Sequence, residues 1–564
     1  MDYHRNAPLL FAILFIWLTV MACNNGKTAK GATGGATTEA VDGGDIEAVL
    51  AYALQHNGKI DDSTRLQMAE VVSAFYGQRE FNKAWCRKKN WQPMADTLYG
   101  FIEKAELQGL FPKDYHFTQL KGIKNIVDKD SLKKVGEAIW TKAELLLTDG
   151  LMRLMQDLKQ GRLQADSLGL YKKAGMVEQF FIKNTNLILE QKKLTPLLES
   201  LQPKHYGYRE LKKGIRLFLD SMDRRTYTYV NYPYKDSTDS LRFVKTLQKR
   251  LNESGCMEMT SKRPDSAALL AGVKKYQQQK GIKADGKINA VLMRTINTND
   301  VERFKRIAIT LDRYKQLPEK MPERYIWVNL PGYYLEVWDH DTLVMQSKTI
   351  VGKAATRTPE LTSTITDMVT YPTWTVPTSI IAKEMLPGLK RNPNYLARRG
   401  YKLLNGKGQP INAASINWAK YNKGIPFRIQ QGSGDGNALG VFKFNFNNPF
   451  SVYLHDTNQR YLFKNGSRSL SHGCVRVQDW EKLAYYIART DSVLAKPTDS
   501  LEYNTDSIKH WLAAKSNRRM DVKVKIDLFI KYFGCEGQGG KVKFYEDIYG
   551  EDKILREKYF ADRN

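Results

Sequence analysis

The 564-residue chain is poor in cysteine: it has five, and no two of them form a CxxC pair. Cys86, Cys256 and Cys535 stand far apart and are odd in number. Neither a disulfide framework nor a local zinc cluster is therefore encoded, and each is expected to be a small buried apolar side chain. Acid is scarce as well. Sixty Asp and Glu against 87 Lys and Arg leave a formal charge of +27, which implies attraction to nucleic acid, an anionic membrane face or a carboxylate-rich wall polymer. A hydrophobic share of 42% with 26% charged residues excludes a globally disordered chain. The length exceeds what one core organises and implies two to four domains.

The uncharged, mainly apolar run from Ala7 to Ala22 has sixteen residues. It is short for a bilayer-spanning helix and the right size for the core of a signal peptide. It ends in Val20-Met21-Ala22-Cys23, which is similar to a bacterial lipoprotein cleavage box. Residues 1–22 therefore read as a signal peptide and Cys23 as the lipid attachment point; an uncleaved signal anchor is the alternative. Both place the rest of the chain outside the cytoplasm, in the cell envelope and expected in the periplasm. Nucleic acid becomes the poorer partner, and the membrane is met through the lipid or anchor. Residues 23–44 (CNNGKTAKGATGGATTEAVDGG), rich in Gly, Thr and Ala, read as a flexible tether.

The expected fold class is a multidomain α+β chain. Residues 45–235 carry helical periodicity, clearest in AIWTKAELLLTDGLMRLMQDLKQGRL with Gly161 as a stop, and form a helical scaffold domain. Residues 239–298 make a compact three-helix unit. Its order Leu247-Gln248, Leu251, Gly255, Val273, Tyr276-Gln277, Gly281-Ile282 and Asp285-Gly286 resembles a peptidoglycan-binding domain, with Gly272 where that family usually has Ala. A spacer without a ligand is the alternative. From residue 324 to 564 short alternating runs read as strands, ending in a hairpin across Gly537 to Gly540, and make a mostly β catalytic domain. An insert at about 376–430 interrupts it. Between Lys383 and Lys407 the insert has seven basic residues and one acid, Glu384, which fits either a solvated basic face or a lid holding an anionic polymer.

Chemistry concentrates in LHDTNQRYLFKNGSRSLSHGCVRV, Leu454 to Val477. A free thiol is only slightly ionised at neutral pH, so a nucleophilic cysteine needs a base, and histidine has a suitable pKa. His455 ends a strand-like run nineteen residues before Cys474, which leaves room for a loop and a return. Gly473 lets the backbone approach a substrate and turns amides toward an oxyanion. Arg476 would share a face with Cys474 in an extended segment and hold a substrate carboxylate or shape the pocket. Three other readings remain: a packed loop with an inert thiol, a zinc site using His455, His472 and Cys474, and another class of cysteine hydrolase. No fourth ligand lies at zinc spacing, and the histidine-first order counts against papain-like and NlpC/P60-like enzymes.

His455, a gap, then Ser471-His472-Gly473-Cys474-Val475-Arg476 resembles the signature of YkuD-type L,D-transpeptidases. His455-Asp456-Thr457 in place of the commoner His-Gly-Thr, and Arg476 where many members carry Asn, are similar to the larger YcbB-like branch, which also has a scaffold, a wall-binding domain and a capping insert. The resemblance implies Cys474 as nucleophile, His455 as proton acceptor and donor, Gly473 as a backbone oxyanion donor and His472 in support. It also implies substrate contacts by Arg476, Ser471 and Asp456, and needs neither metal nor organic cofactor. The implied reaction joins peptidoglycan stem peptides by 3→3 cross-links with release of D-Ala. Two alternatives stay open: an L,D-carboxypeptidase that trims stems, and a non-catalytic wall-binding protein. Oligomeric state is not encoded.

Overall fold

The computed structural model describes residues 45–130, 134–163, 175–232, 237–259 and 265–561. The expected signal peptide, Cys23 and all but the end of the chain's first 45 residues lie outside them. Among the described residues, eight α-helices build the N-terminal region: α1 (Ile46–Gln55), α2 (Ala69–Gly77), α3 (Pro93–Glu103), α4 (Phe117–Val127), α5 (Glu137–Lys159), α6 (Glu178–Gln191), α7 (Leu194–Ser200) and α8 (Tyr206–Ser221). The periodic segment that predicted a helix is α5, and the chain turns out of it at Gly161, whose φ is 70°. Helix α5 is the axis of the region's core, buried along most of its length against Phe75, Trp85, Leu98 and Ile188. Its Glu144 carboxylate, fully buried, accepts the Trp85 amide at 3.0 Å, the Cys86 amide at 2.8 Å and the Tyr76 phenol at 2.8 Å. A buried acid is tolerable only with donors of this kind around it.

Three further helices follow: α9 (Ser237–Glu253), α10 (Ser266–Gln279) and α11 (Ala290–Asn297). They close around their own core of Phe243, Leu247, Leu251, Val273, Tyr276, Leu292 and Ile296. Val291 points outward at 49% exposure, because the inward stripe of α11 runs through Leu292, Met293 and Ile296. Helix α12 (Asp300–Tyr314) then leads into the catalytic region.

From residue 324 the chain becomes a ten-stranded mixed sheet. Its strands are β1 (Arg324–Asn329), β2 (Tyr334–Asp339), β3 (Thr342–Gly352), β4 (Leu361–Thr370), β9 (Phe442–Phe446), β10 (Leu454–His455), β11 (Ser469–Ser471), β12 (Val475–Val477), β13 (Arg518–Asp521) and β14 (Asp527–Lys531). The numbers β5 (Trp374–Thr375), β6 (Tyr401–Leu404), β7 (Pro410–Ile411) and β8 (Arg428–Gln431) belong to the four-stranded sheet of the insert. In the main sheet the order is β9-β10-β12-β3-β2-β1-β14-β4-β13, and β9 also pairs with β4, so the sheet closes on itself. Strict alternation gives each wall its two faces. In β9, Phe442, Phe444 and Phe446 enter the core while Lys443 and Asn445 face the other way. Helix α13 (Trp480–Leu494) packs Trp480, Leu483 and Ile487 into the same core. The insert, here residues 374–431, has a separate core of Val376, Ile381, Leu386, Leu389, Leu403, Trp418 and Ile429.

The expected C-terminal hairpin is β15 (Cys535–Gln538) with β16 (Lys541–Phe544), turning at Gly539 and Gly540. It lies against α8, and the backbones approach so closely that a Cβ on Gly537 would meet the Glu210 carbonyl carbon and oxygen at 2.1 Å. This contact ties the helical region to the catalytic sheet. Gly537→Val is therefore expected to lift the hairpin from α8 and lower the thermal unfolding midpoint by several degrees, in the range of overpacked core variants. Calorimetry of the full chain checks it, and an unchanged midpoint would refute the close approach.

Candidate active site

Strand β10 is two residues long, and its placement decides the site. Leu454 points into the core, so Tyr453 and His455 lie on the opposite face. Strand β12 runs parallel beside it, with Leu454 opposite Val475 and His455 opposite Arg476. The Val475 amide donates to the Tyr453 carbonyl at 3.1 Å. One residue back along that register, Cys474 stands beside Tyr453. Tyr453, His455, Cys474 and Arg476 thus share one face, and Lys443 joins them from β9, directly opposite His455. Diagonal neighbours on a sheet face stand about 7–8 Å apart at the backbone, a gap an imidazole bridges. The Tyr453 and His455 rings meet edge to face with centroids 5.6 Å apart, and the Lys443 ammonium lies 4.0 Å from the Tyr453 centroid.

Burial favours the neutral form of both His455 and Cys474. His455 is 3% exposed. Burial, then the Arg476 guanidinium, hold its pKa down to about 3, against the pull of the Asp456 and Leu439 backbones. Its Nδ1 is buried without a hydrogen-bond partner. Cys474 is half-buried, and its thiol faces the Ser451 carbonyl at 4.0 Å. Burial pushes the thiol above its ordinary value; the Tyr453 backbone and phenol, Lys443 and Arg476 pull it back. A neutral imidazole is a proton acceptor, which is the state a general base needs.

The loop that presents Cys474 is tightly braced. Gly473 has φ 126°, a conformation that disfavours any side chain, although a Cβ there would meet nothing closer than the Arg357 carbonyl oxygen at 3.6 Å. Its carbonyl accepts the Thr358 hydroxyl at 2.8 Å, and Thr358 Oγ1 in turn accepts the Gly352 amide at 2.9 Å. The Gly473 amide donates to Ser471 Oγ at 3.1 Å, and the Ser471 hydroxyl donates to the Cys474 carbonyl at 2.6 Å. Ser471, expected at the substrate, is 2% exposed with its hydroxyl used inside the loop, so its role is to brace the turn. Asp456 departs from expectation too. Fully buried, its carboxylate accepts the Val441 amide at 3.0 Å and pairs with Arg460 at 2.6 Å, because alternation turns it away from the His455 face. Gly473, expected as an oxyanion donor, has its amide engaged with Ser471 in this conformation.

Arg476 lies opposite His455 in the parallel register. Nη1 donates to Gln459 Oε1 at 3.1 Å and Nε is buried without an acceptor. His472 is exposed, and its Nε2 lies 2.5 Å from Oε1 of Glu384, in the π-helical turn Ile381–Met385 of the insert. The Trp374 side chain, from the insert's edge strand β5, stands beside the Tyr453 phenol. Sequence reasoning passed over Tyr453 and Lys443. A period-two count back from His455 and across to the β9 run FKFNF would have found them. Among the described residues, no group of three or more His, Cys, Asp or Glu could hold a metal ion.

Residues 323–494 match the YkuD family, the L,D-transpeptidase catalytic domain, and residues 70–215 match the Scaffold domain. A putative L,D-transpeptidase of Haemophilus influenzae is 32% identical over 251 residues, 44% of this chain and 49% of that protein. The chain thus spans about half the length of this curated relative. Two solved structures align with low superposition. The L,D-transpeptidase of Stackebrandtia nassauensis is 13% identical over 55% of this chain and 98% of its own, with a TM-score of 0.16. The Ldtfm–avibactam carbamoyl enzyme is 9% identical over 51% of this chain and 81% of its own, with a TM-score of 0.18.

The electrostatics carry a direct consequence for thiol reactivity. With the Cys474 pKa raised, its thiolate fraction keeps increasing as pH rises beyond the ordinary value of 9.0. Alkylation of Cys474 by iodoacetamide, followed by peptide mass, is expected to speed up about tenfold per pH unit through neutrality. A rate that levels off below pH 7 would reveal a preformed thiolate–imidazolium pair and contradict this picture.

Proposed function

We propose that the chain, whose residues 323–494 match the L,D-transpeptidase catalytic domain of the YkuD family and residues 70–215 the Scaffold domain, forms 3→3 cross-links in peptidoglycan through a Cys474 acyl-enzyme. The observation that carries the reading is the shared sheet face of His455 and Cys474, fixed by the parallel pairing of β10 with β12.

In the proposed reaction the Cys474 sulfur attacks the carbonyl of the L-centre of the diamino acid in a tetrapeptide stem as the thiol proton passes to His455. The tetrahedral oxyanion forms next to the Cys474 amide, and the Gly473 amide joins once the Ser471 hydroxyl turns aside. A preorganised amide donor of this kind is worth about 3 kcal/mol. The C–N bond then breaks, and D-Ala leaves with the proton held by His455, giving a thioester. The side-chain amine of a neighbouring stem attacks that thioester, His455 takes its proton, and the thiol is restored as the new amide forms. Lys443 and Arg476 supply positive potential for the anionic species. The reaction as written calls on no metal or organic cofactor.

The same proposal places the protein in the cell envelope, held at a membrane through lipid on Cys23, with the helical region and the α9–α11 unit carrying the catalytic sheet toward the wall. In the α9–α11 unit Gln277 receives the Gly286 amide at 2.8 Å and donates to Asp285 at 3.1 Å, so those motif residues organise a turn. Wall binding by this unit is part of the proposal.

The test is the intact mass of the protein after incubation with a synthetic tetrapeptide stem. An adduct equal to the stem minus D-Ala, on Cys474 and absent from a folded Cys474→Ala variant, is the expected result. Dimeric muropeptides then report transfer, whereas tripeptides without dimers report a carboxypeptidase. No adduct with any stem would overturn both.

A further inference from the structure

Residues 376–430 carry ten basic side chains and one acid, a net +9 out of the chain's +27 in about a tenth of its length. All ten, from Lys383 to Arg428, are exposed. Among the described residues none of them forms an ion pair. Lys390 donates to Asn422 Oδ1 at 2.8 Å, Arg391 to the Pro387 carbonyl at 3.2 Å, and Arg399 lies 4.0 Å from the Tyr395 ring centroid. Elsewhere on the catalytic domain exposed cations do find carboxylates: Lys515 pairs with Asp435, Arg519 with Asp367 and Asp521, Lys525 with Asp527. The insert's single acid, Glu384, is turned away to His472. Unpaired like charges on a body this small repel one another and work against its folding.

We propose that the insert is a docking surface for a second, carboxylate-rich segment of the wall strand, outside the catalytic pocket. This rests on the function proposed above and adds to it a binding surface that the chemistry at Cys474 does not require. Two observations favour a hydrated polyanion over a bilayer. Basic surfaces that enter lipid present apolar side chains beside their cations. Large exposed hydrophobics occur at Leu343, Val344, Phe450 and Tyr461, and none falls within 376–430. The Glu384–His472 contact also fixes this surface beside the loop that bears Cys474, so a strand held there stays within reach of the thiol, whereas a bilayer there would lie across the approach to it. Free carboxylates on stem peptides are the matching groups, and their attraction to exposed cations is screened by salt.

The experiment is cosedimentation of the full chain with purified insoluble sacculi at low and high salt. It compares the unaltered protein with a variant carrying Lys390→Gln, Arg391→Gln, Arg398→Gln and Arg399→Gln. The expected result is an affinity loss of about tenfold or more at low salt that disappears at high salt. Sacculi whose carboxylates have been chemically amidated should reduce binding of the unaltered protein in the same way, a readout independent of how the variant folds. Equal binding by variant and unaltered chain, or to native and amidated sacculi, would overturn the proposal. So would tighter, four-residue-dependent binding to phosphatidylglycerol vesicles than to sacculi. A stem adduct on Cys474 tests the proposed reaction separately, so loss of one result leaves the other standing.

Discussion

The site depends on one pairing, β10 against β12. Both strands are very short, and neither would hold its register alone. They are held because Leu454, Val475 and Val477 are buried in a closed sheet between β9 and β3, with α13 packed beneath. A one-residue slip would turn Tyr453 and His455 into that core and bring Leu454 out. The apolar residues between them are thus what hold His455 and Cys474, the proposed base and nucleophile, on a single face. Beyond the sheet, Thr358 pins the Gly473 carbonyl and Tyr549 pins both ends of the Gly352–Thr358 segment, at 2.8 and 3.2 Å. The last part of the chain therefore reaches back to stabilise the turn under the thiol.

The division into a helical region and a mostly β region was legible in the sequence because both are written in local patterns. Helical periodicity marked α5, alternation marked β9, and a histidine before a Gly-Cys step marked two residues that the structure places on one sheet face. Less legible was what each neighbour of those residues does. Ser471 and Asp456 sit next to functional residues in the sequence, but in extended backbone adjacent side chains face opposite ways, so both became braces. Tyr453 and Lys443 are two residues, or one strand, away and therefore share the face. The insert was visible as a basic stretch. That its one acid would reach His472 depends on tertiary docking, which no local pattern encodes.

The resting charge state ties these features together. Burial disfavours both the thiolate and the imidazolium, so an unliganded pocket keeps the pair neutral and the sulfur poorly nucleophilic. Were a carboxylate paired with Lys443 or Arg476, it would cancel the two cations nearest the sulfur and push the thiol higher still. Neither cation has such an ion pair among the described residues. Arg476 meets only the Gln459 amide, and Lys443 lies over an aromatic ring. Leaving two partly buried cations without a counter-ion is unfavourable for the folded chain, and it is useful only where negative charge is to appear. That charge appears when sulfur attacks and the oxyanion forms. In the proposed reaction the charged state therefore forms only when a substrate carbonyl is present to receive the sulfur. Reagents that only sample the thiol are expected to react slowly, while those that acylate it and develop an oxyanion gain from the field already in place.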